Sequence, residues 1–229
     1  MKAIIFDFDG TITYKSKNIW DWIWTNLGFD LSEGSEYDLL EKRYASGEIS
    51  YQKWCDITCD MFREKGLSKQ IVKSATTETK VINGFAQTIK KLKEKGIKLY
   101  IVSGSVLECI ENVLGENKDY FDFIAANHFV FDKSGLISRI EATKYDYEGK
   151  AVFAKKVIKK LGIKPQDVCF VGNGDNDEWV YQTGCKTLCI NPDGADFANK
   201  EKWSGCIEHT DNFEDILSFI LDSSIENEK

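Results

Sequence analysis

The start of the chain places two aspartates directly after a short apolar run, and this feature constrains the fold most. Residues 2–6 predict a buried parallel strand, which ends in Asp7-Phe8-Asp9-Gly10-Thr11. Because residues two apart on a strand point the same way, Asp7 and Asp9 should project together from its carboxyl end. Ligands bind at that end of open α/β sheets, and two converging carboxylates favour a cation or a proton between them. Taken alone, the motif is also compatible with a solvated acidic turn.

Apolar runs alternate with helical patterns along the rest of the chain, which predicts a parallel sheet covered on both faces. Strands are expected over residues 97–102, 168–171 and 187–190. Helical patterns end at Gly96, Gly115 and Gly162, where glycine is typical of a helix C-cap. The second of these helical patterns has Val106, Ile110 and Val113 on one face. Residues 129–138 carry turn residues between two apolar runs and predict a hairpin.

One segment, residues 13–81, shows helical patterns and no good strand run. Ser50 and Ser68 are placed as N-caps of two of its helices. We therefore predict an α/β protein: a Rossmann-like parallel sheet core formed by residues 1–12 and 82–229, with an all-helical cap domain of residues 13–81 inserted into it. Four of the six tryptophans lie in the insert, and we expect most of them to form its own small core.

The composition narrows the class of partner and the compartment. A formal charge of −7 disfavours nucleic acid and anionic membranes as partners. Seven cysteines without a framework spacing indicate a reducing environment. The pairs Cys55/Cys59 and Cys185/Cys189 lie in apolar periodic runs, so packing in the core is favoured over a zinc site. No signal peptide or membrane-spanning run is present, and we expect a soluble, cytoplasmic protein.

Three further polar clusters follow predicted strands or open a predicted helix. Ser103, in Val102-Ser103-Gly104-Ser105, could bind phosphate through its hydroxyl and nearby amides, but it could also be a generic helix N-cap. Lys150 lies at a helix start, where a cation is unfavourable unless an anion accompanies it. The loop 172–177, Gly-Asn-Gly-Asp-Asn-Asp, offers oxygen ligands that suit Mg²⁺. Together these clusters should open onto one edge of one sheet.

The four motifs in this order resemble the haloacid dehalogenase-like hydrolase superfamily, and the insert looks like the helical cap of its phosphoserine phosphatase-like subgroup. The resemblance implies a Mg²⁺-dependent phosphatase in which Asp7 is the nucleophile and Asp9 the general acid and base. It also implies that Ser103 and Lys150 stabilise the transferring phosphoryl group. The implied phosphate-binding residues are Phe8, Thr11, Ser103, Gly104 and Lys150. The implied metal ligands are Asp7, Asp9, Asn173 and Asp177, with Asp175 as a possible addition.

The sequence departs from the family pattern at three positions. Asn173 stands where the family usually has an aspartate, so one metal ligand lacks its charge. Ser16 and Asp56 stand where the phosphoserine-specific pattern has a glutamate and an arginine, which argues against phosphoserine as the substrate. We therefore predict hydrolysis of a small-molecule phosphate monoester. Phosphotransfer of the mutase type, a phosphorylated signalling receiver and a non-catalytic binding protein on a decayed scaffold are the alternatives.

Overall fold

A seven-stranded sheet forms the centre of the protein, in a computed structural model that describes residues 1–14, 19–192 and 200–222. The strands are ordered β4-β3-β2-β1-β5-β6-β7, and all neighbouring pairs are parallel except β3 with β4. The strands are β1 (Ala3–Phe6), β2 (Lys98–Val106), β3 (Phe123–Phe131), β4 (Ile137–Glu141), β5 (Val168–Gly172), β6 (Lys186–Ile190) and β7 (Gly205–Ile207). The predicted α/β class with a mostly parallel sheet is confirmed.

Eight α-helices accompany the sheet within the described part of the chain. They are α1 (Ile19–Asn26), α2 (Glu36–Ala45), α3 (Tyr51–Glu64), α4 (Lys69–Ala75), α5 (Phe85–Glu94), α6 (Leu107–Leu114), α7 (Glu148–Leu161) and α8 (Ile216–Asp222). Short 3₁₀ turns occur at Gly115–Tyr120, Pro165–Asp167, Glu178–Thr183, Lys200–Lys202 and Phe213–Asp215.

The pleat of β1 divides the apolar residues between two cores, one on each face of the sheet. Ile4 and Phe6 pack into the core shared with α5, α6 and α8. Ala3 and Ile5 pack into the other core, where α7 contributes Phe153. All four β1 residues are fully buried, as expected for a central parallel strand covered on both sides.

Helices α1 to α4, hereafter the helical segment, lie between β1 and α5, where the sequence predicts them. The hydroxyl of Ser50 accepts a hydrogen bond from the Lys53 amide, and that of Ser68 accepts one from the Ile71 amide, so both predicted N-caps are confirmed. The apolar face of this segment continues the core around Phe6. Thr13 bridges to Val81, which brings the two ends of the insertion together. The proposed domain boundaries at 13 and 81 fall on this bridge.

The predicted hairpin is confirmed by β3 and β4, but the prediction for the end of β2 was wrong. Val106 belongs to β2 and pairs with Asn127 instead of opening α6. Val102 pairs with Ala125, so the stretch from 102 to 106 lies opposite the shorter stretch from 125 to 127. Residues 103–105 therefore form a bulge in the strand and are not the N-cap of a helix. The sequence patterns also missed β7 and α8.

Most of the cysteines are distributed through the interior of the protein. None of the seven cysteines, which all lie in the described ranges, forms a disulfide. All except Cys206 are buried, which agrees with packing as small apolar side chains. Among residues 1–14, 19–192 and 200–222, no helix combines the length and hydropathy needed to cross a bilayer.

Asp122 fixes the start of β2, and its ion pairs predict a pH dependence of stability. Its carboxylate accepts hydrogen bonds from Lys93 Nζ (2.8 Å), Lys98 Nζ (2.9 Å) and the Leu99 amide (3.0 Å). Desolvation would raise the pKa of Asp122, but these three donors outweigh it and lower the pKa to about 2. Because the pKa is lower in the folded state, the stabilisation is present above the unfolded pKa and is lost as pH falls through 2.

We predict that Asp122→Asn lowers the free energy of unfolding by about 1 kcal/mol at pH 7, allowing for solvent screening of the lysines. The difference from the unsubstituted protein should shrink as pH falls from about 4 towards 2. Urea unfolding across this pH range measures it, with Asp119→Asn, an exposed neighbour, as the control. A difference that stays constant with pH would contradict the assignment.

Candidate active site

The strand order brings the ends of β2, β1 and β5 next to one another. Phe6, the last residue of β1, pairs with Ile101 on one side and with Val171 on the other. Asp7 therefore leaves the sheet beside Ser103 and beside the loop that starts at Gly172. The predicted motifs on these three strands share one edge, hereafter the catalytic rim.

Lys150 links the first motif to the last through two buried ion pairs. Its ammonium lies 2.8 Å from Asp7 Oδ1 and 2.6 Å from Asp177 Oδ1. Lys150 and Asp177 are 0% exposed, and Asp7 is 4% exposed. Burying a charge is costly unless opposite charges and hydrogen bonds compensate it, and here two carboxylates flank one cation. Lys150 is therefore a buried, ion-paired lysine, as the unfavourable position of a cation at a helix start suggested.

Asp177 is held from both sides of its carboxylate. While Oδ1 binds Lys150, Oδ2 accepts hydrogen bonds from the backbone amides of Asn173 (2.8 Å) and Gly174 (3.1 Å). A methyl group on Gly172 would lie 2.5 Å from the Asp177 carboxyl carbon, so only glycine fits at that position. Gly172 therefore allows the Asp177 side chain to pack against the end of β5, where it reaches Lys150.

The environment raises the pKa of both aspartates of the first motif. Burial raises the pKa of Asp7 above its usual range, with Lys150 opposing the shift and Asp177 adding to it. Burial also raises the pKa of Asp9 to about 6, against the opposing effects of Ser105 and Lys150. Burial disfavours the charge of Lys150, yet the neighbouring carboxylates of Asp177 and Asp7 outweigh it and raise its pKa. A carboxyl group with a pKa near 6 can serve as both acid and base near neutral pH.

Thr11 and Gly10 position Asn173. The Thr11 hydroxyl is buried and donates a hydrogen bond to Asn173 Oδ1 (3.0 Å). Gly10 has φ +75°, and a methyl group there would lie 2.5 Å from Asn173 Nδ2. The structure thus uses Thr11, which the sequence assigned to phosphate binding, to orient the amide that replaces the usual aspartate.

Two other predicted site residues lie apart from the ion pairs. The Phe8 ring is buried in the core, and its carbonyl accepts a hydrogen bond from the Ile12 amide (2.9 Å), closing the turn after β1. Asp175 is exposed on the 172–177 loop.

The bulge in β2 orients Ser103 through the peptide group between Gly104 and Ser105. The Gly104 carbonyl accepts hydrogen bonds from Trp20 Nε1 (2.9 Å) and Asn127 Nδ2 (2.6 Å). In a trans peptide the N–H points opposite to the carbonyl, and the Ser105 N–H donates to Ser103 Oγ at 3.1 Å. Because Ser103 Oγ accepts this bond, its own proton is left to donate to a ligand.

Sequence reasoning missed Asn127 and its partners. Asn127 is fully buried, donates to Tyr51 Oη (2.9 Å) and accepts from the Thr143 amide (2.8 Å), besides holding Gly104. Along β3 the buried positions are Ala125, Asn127 and Phe129. A polar residue at a buried position of an alternating strand was the available signal.

The oxygen-rich side of the rim is suited to a hard cation. Asp7 Oδ2 and the second lone pair of Asn173 Oδ1 remain after the contacts described above. Within the described ranges, no group of three or more His, Cys, Asp or Glu side chains is arranged to hold a metal. The donors on this side are the carboxylate of Asp7 and the amide oxygen of Asn173, both hard oxygen ligands of the kind that Mg²⁺ takes.

Comparison with known proteins decides the family. The model of the haloacid dehalogenase-like hydrolases matches residues 1–179. The chain belongs to the haloacid dehalogenase-like hydrolases. The predicted resemblance and the prediction of a hydrolytic enzyme are thereby confirmed.

Several relatives of this hydrolase are phosphoserine phosphatases. That of Methanocaldococcus jannaschii is 26% identical over 221 residues, which cover 96% of this chain and 97% of the relative. That of Archaeoglobus fulgidus is 26% identical over 190 residues, covering 83% of this chain, which spans only 52% of that longer relative. Both agree with the predicted phosphoserine phosphatase-like subgroup and support a phosphoric monoester hydrolase.

Solved structures share the fold. A phospho-aspartyl intermediate analogue of phosphoserine phosphatase superposes with a TM-score of 0.71 at 24% identity, covering 96% of this chain and 98% of the other. A HAD family hydrolase from Salmonella enterica serovar Typhi gives 0.75 at 18% identity, covering 99% of this chain and 72% of that one. These likenesses extend over nearly the whole chain and confirm the predicted haloacid dehalogenase-like fold.

We predict that Asn127→Ala lowers the free energy of unfolding by about 2 kcal/mol, because it leaves buried backbone groups of the bulge without partners. Chemical denaturation measures the loss. Asn112→Ala, at an exposed position of α6, is the matched control and should change stability by less than about 0.5 kcal/mol. Equal, small effects of the two substitutions would contradict the role given to Asn127.

Proposed function

We propose that this hydrolase is a Mg²⁺-dependent phosphatase that cleaves a small-molecule phosphate monoester through an aspartyl-phosphate intermediate on Asp7. The observation that carries the proposal is the buried contact of Lys150 with both Asp7 and Asp177 at the catalytic rim. The similarity to phosphoserine phosphatases supports the same class of reaction. A cytoplasmic location remains part of the proposal.

Asp7 would attack phosphorus in line and carry the phosphoryl group as an acyl phosphate. Asp9 would protonate the leaving alcohol oxygen and then accept a proton from the water that hydrolyses the intermediate. Its pKa of about 6 suits both steps near neutral pH. Burial of Asp7 beside Lys150 would keep the Asp7 carboxylate away from bulk water. Solvation would then not reduce the nucleophilicity of that carboxylate.

Lys150 and Ser103 would bind the phosphoryl oxygens. The ammonium of Lys150 has three N–H groups, of which Asp7 and Asp177 take two, so the third is left for the substrate. The Ser103 hydroxyl proton would be a second donor, because the Ser103 oxygen already accepts from the Ser105 amide. These donors would stabilise charge that develops on the transferring group.

Mg²⁺ would be held by the Asp7 carboxylate, the Asp9 backbone carbonyl and the Asn173 amide oxygen, with Asp177 supporting its shell. When bound, it neutralises the repulsion between a carboxylate nucleophile and an anionic phosphate. Thr11 fixes the amide of Asn173 for this role through its hydroxyl. Because Asn173 contributes no charge, we expect weaker affinity for Mg²⁺ than a carboxylate at that position would give.

Phosphoserine itself is not the substrate that we favour. Asp56 is exposed and accepts a hydrogen bond from Gln52 Nε2 (2.8 Å), so it offers no cation for a substrate carboxylate. Ser16, the other position that argued against phosphoserine, lies outside the described residues.

We predict that Asp7→Asn lowers kcat/KM for a small phosphate ester by at least about 10⁴-fold, because an amide is not a nucleophile at phosphorus. Asp9→Asn should lower it by about 10²- to 10⁴-fold. Initial-rate assays of released phosphate measure both, with circular dichroism to confirm folding and Asp119→Asn as the control. Substantial turnover by a folded Asp7→Asn variant would exclude Asp7 as the nucleophile.

We also predict that exhaustive chelation abolishes turnover and that added Mg²⁺ restores it. Asn173→Asp should reduce the Mg²⁺ concentration needed for half-maximal rate by about tenfold, because it supplies the missing charge. Titration of activity against free Mg²⁺ compares the two proteins. Full activity of the chelated enzyme would show that no metal takes part.

A further inference from the structure

A cleft of about 640 Å³ opens between the helical segment and the core, next to the catalytic rim. Four aromatic side chains line it. Tyr44 and Tyr51 come from α2 and α3, whereas Tyr147 and Trp179 come from the segments just before Lys150 and just after the 172–177 loop. Aromatic rings therefore line the cleft from both the helical segment and the core.

Asp146 joins this cleft to the catalytic rim. It lines the cleft, and a methyl group on Gly104 would lie 2.6 Å from its Oδ2. Its Oδ1 accepts a hydrogen bond from Asn176 Nδ2 (3.0 Å) in the 172–177 loop. Asp146 therefore places the cleft beside Gly104, the neighbour of Ser103, and beside the 172–177 loop.

The backbone of Tyr147 is strained in a way that presents its ring at the cleft. It has φ 45° and ψ −121°, close to the first central position of a type II′ turn, where glycine is the usual residue. The Gly149 amide closes this turn on the Asp146 carbonyl at 2.8 Å. The Tyr147 side chain is 51% exposed, so burial does not explain why the chain keeps a tyrosine there. Strained backbone of this kind concentrates at functional sites.

The charges of the cleft disfavour a carboxylate in the leaving group. Among its lining residues, Lys144 is accompanied by the carboxylates of Asp146 and Glu148. The other polar lining groups are neutral, for example Gln52 and Thr143. An alcohol that carries a flat apolar ring matches the aromatic side chains, and an amino-acid carboxylate would meet an excess of negative charge.

We propose that the cleft binds the leaving group of the substrate, and that the preferred substrate is a small phosphate monoester whose alcohol bears an aromatic ring. Tyr147 is the specificity-determining residue, packing on that ring from the core side. This inference rests on the proposed phosphatase function of Asp7. It goes beyond that function because it specifies the alcohol and not only the phosphate.

The test compares benzyl phosphate, ethyl phosphate and phosphoserine, which are all esters of aliphatic alcohols. We expect kcat/KM for benzyl phosphate to exceed that for each of the other two by at least about tenfold, the size of one favourable ring contact. Tyr147→Gly should lower the ratio of benzyl to ethyl phosphate by about tenfold. Tyr147→Phe, which keeps the ring, should preserve that ratio.

Thermal unfolding separates the role of the ring from a merely structural one. Because glycine accepts the φ of Tyr147 without steric cost, Tyr147→Gly should raise the unfolding midpoint while it lowers selectivity. Phe123→Ala removes a similarly exposed ring at the amino end of β3, at the opposite end of the strands from the catalytic rim, and should leave the selectivity ratio unchanged.

The outcomes of this test separate the inference from the function on which it rests. Hydrolysis of ethyl phosphate or phosphoserine as fast as benzyl phosphate would overturn the inference and leave the phosphatase proposal intact. An unchanged benzyl-to-ethyl ratio in Tyr147→Gly would also overturn it. If none of the three esters is hydrolysed, both proposals fail.

Discussion

The buried contact of Lys150 with Asp7 and Asp177 is the interaction on which the site depends. Its three members come from the end of β1, the first turn of α7 and the loop after β5. None of these charges would be stable in the interior without the others, because an unpaired buried charge costs several kcal/mol. The site is therefore assembled only when β1, α7 and β5 have taken their final positions, and folding and function share the same ion pairs.

The chain's local patterns were sufficient to predict most of the sheet and the four motifs. Apolar runs and glycine C-caps identified β1, β2, β5 and β6, and serines identified two helix starts. They could not predict the bulge after Val102, because it depends on which residues of β3 lie opposite β2. For the same reason Asn127 was missed: its four partners come from segments distant in sequence. The spacing of apolar residues in a sequence indicates the local secondary structure. The bulge and the contacts of Asn127 depend instead on the register between neighbouring strands.

The helical segment takes part in the site through polar contacts as well as by covering it. Trp20 of α1 donates directly to the Gly104 carbonyl, which belongs to the peptide that positions Ser103. Tyr51 of α3 accepts from Asn127, which in turn donates to the same carbonyl. Movement of this segment would therefore change the orientation of the Ser103 hydroxyl. A substrate that fills the aromatic cleft would stabilise the arrangement in which the phosphate donors are correctly placed.

The most direct test of the central claim is to find the phosphoryl group on the enzyme itself. A substrate-saturated reaction quenched in acid, digested and analysed by mass spectrometry should show phosphate on the peptide that contains Asp7. The same peptide should be unmodified when Asp7→Asn is treated in the same way. Rapid hydrolysis with no phosphorylated peptide in the unsubstituted protein, or phosphate at another residue, would contradict the account.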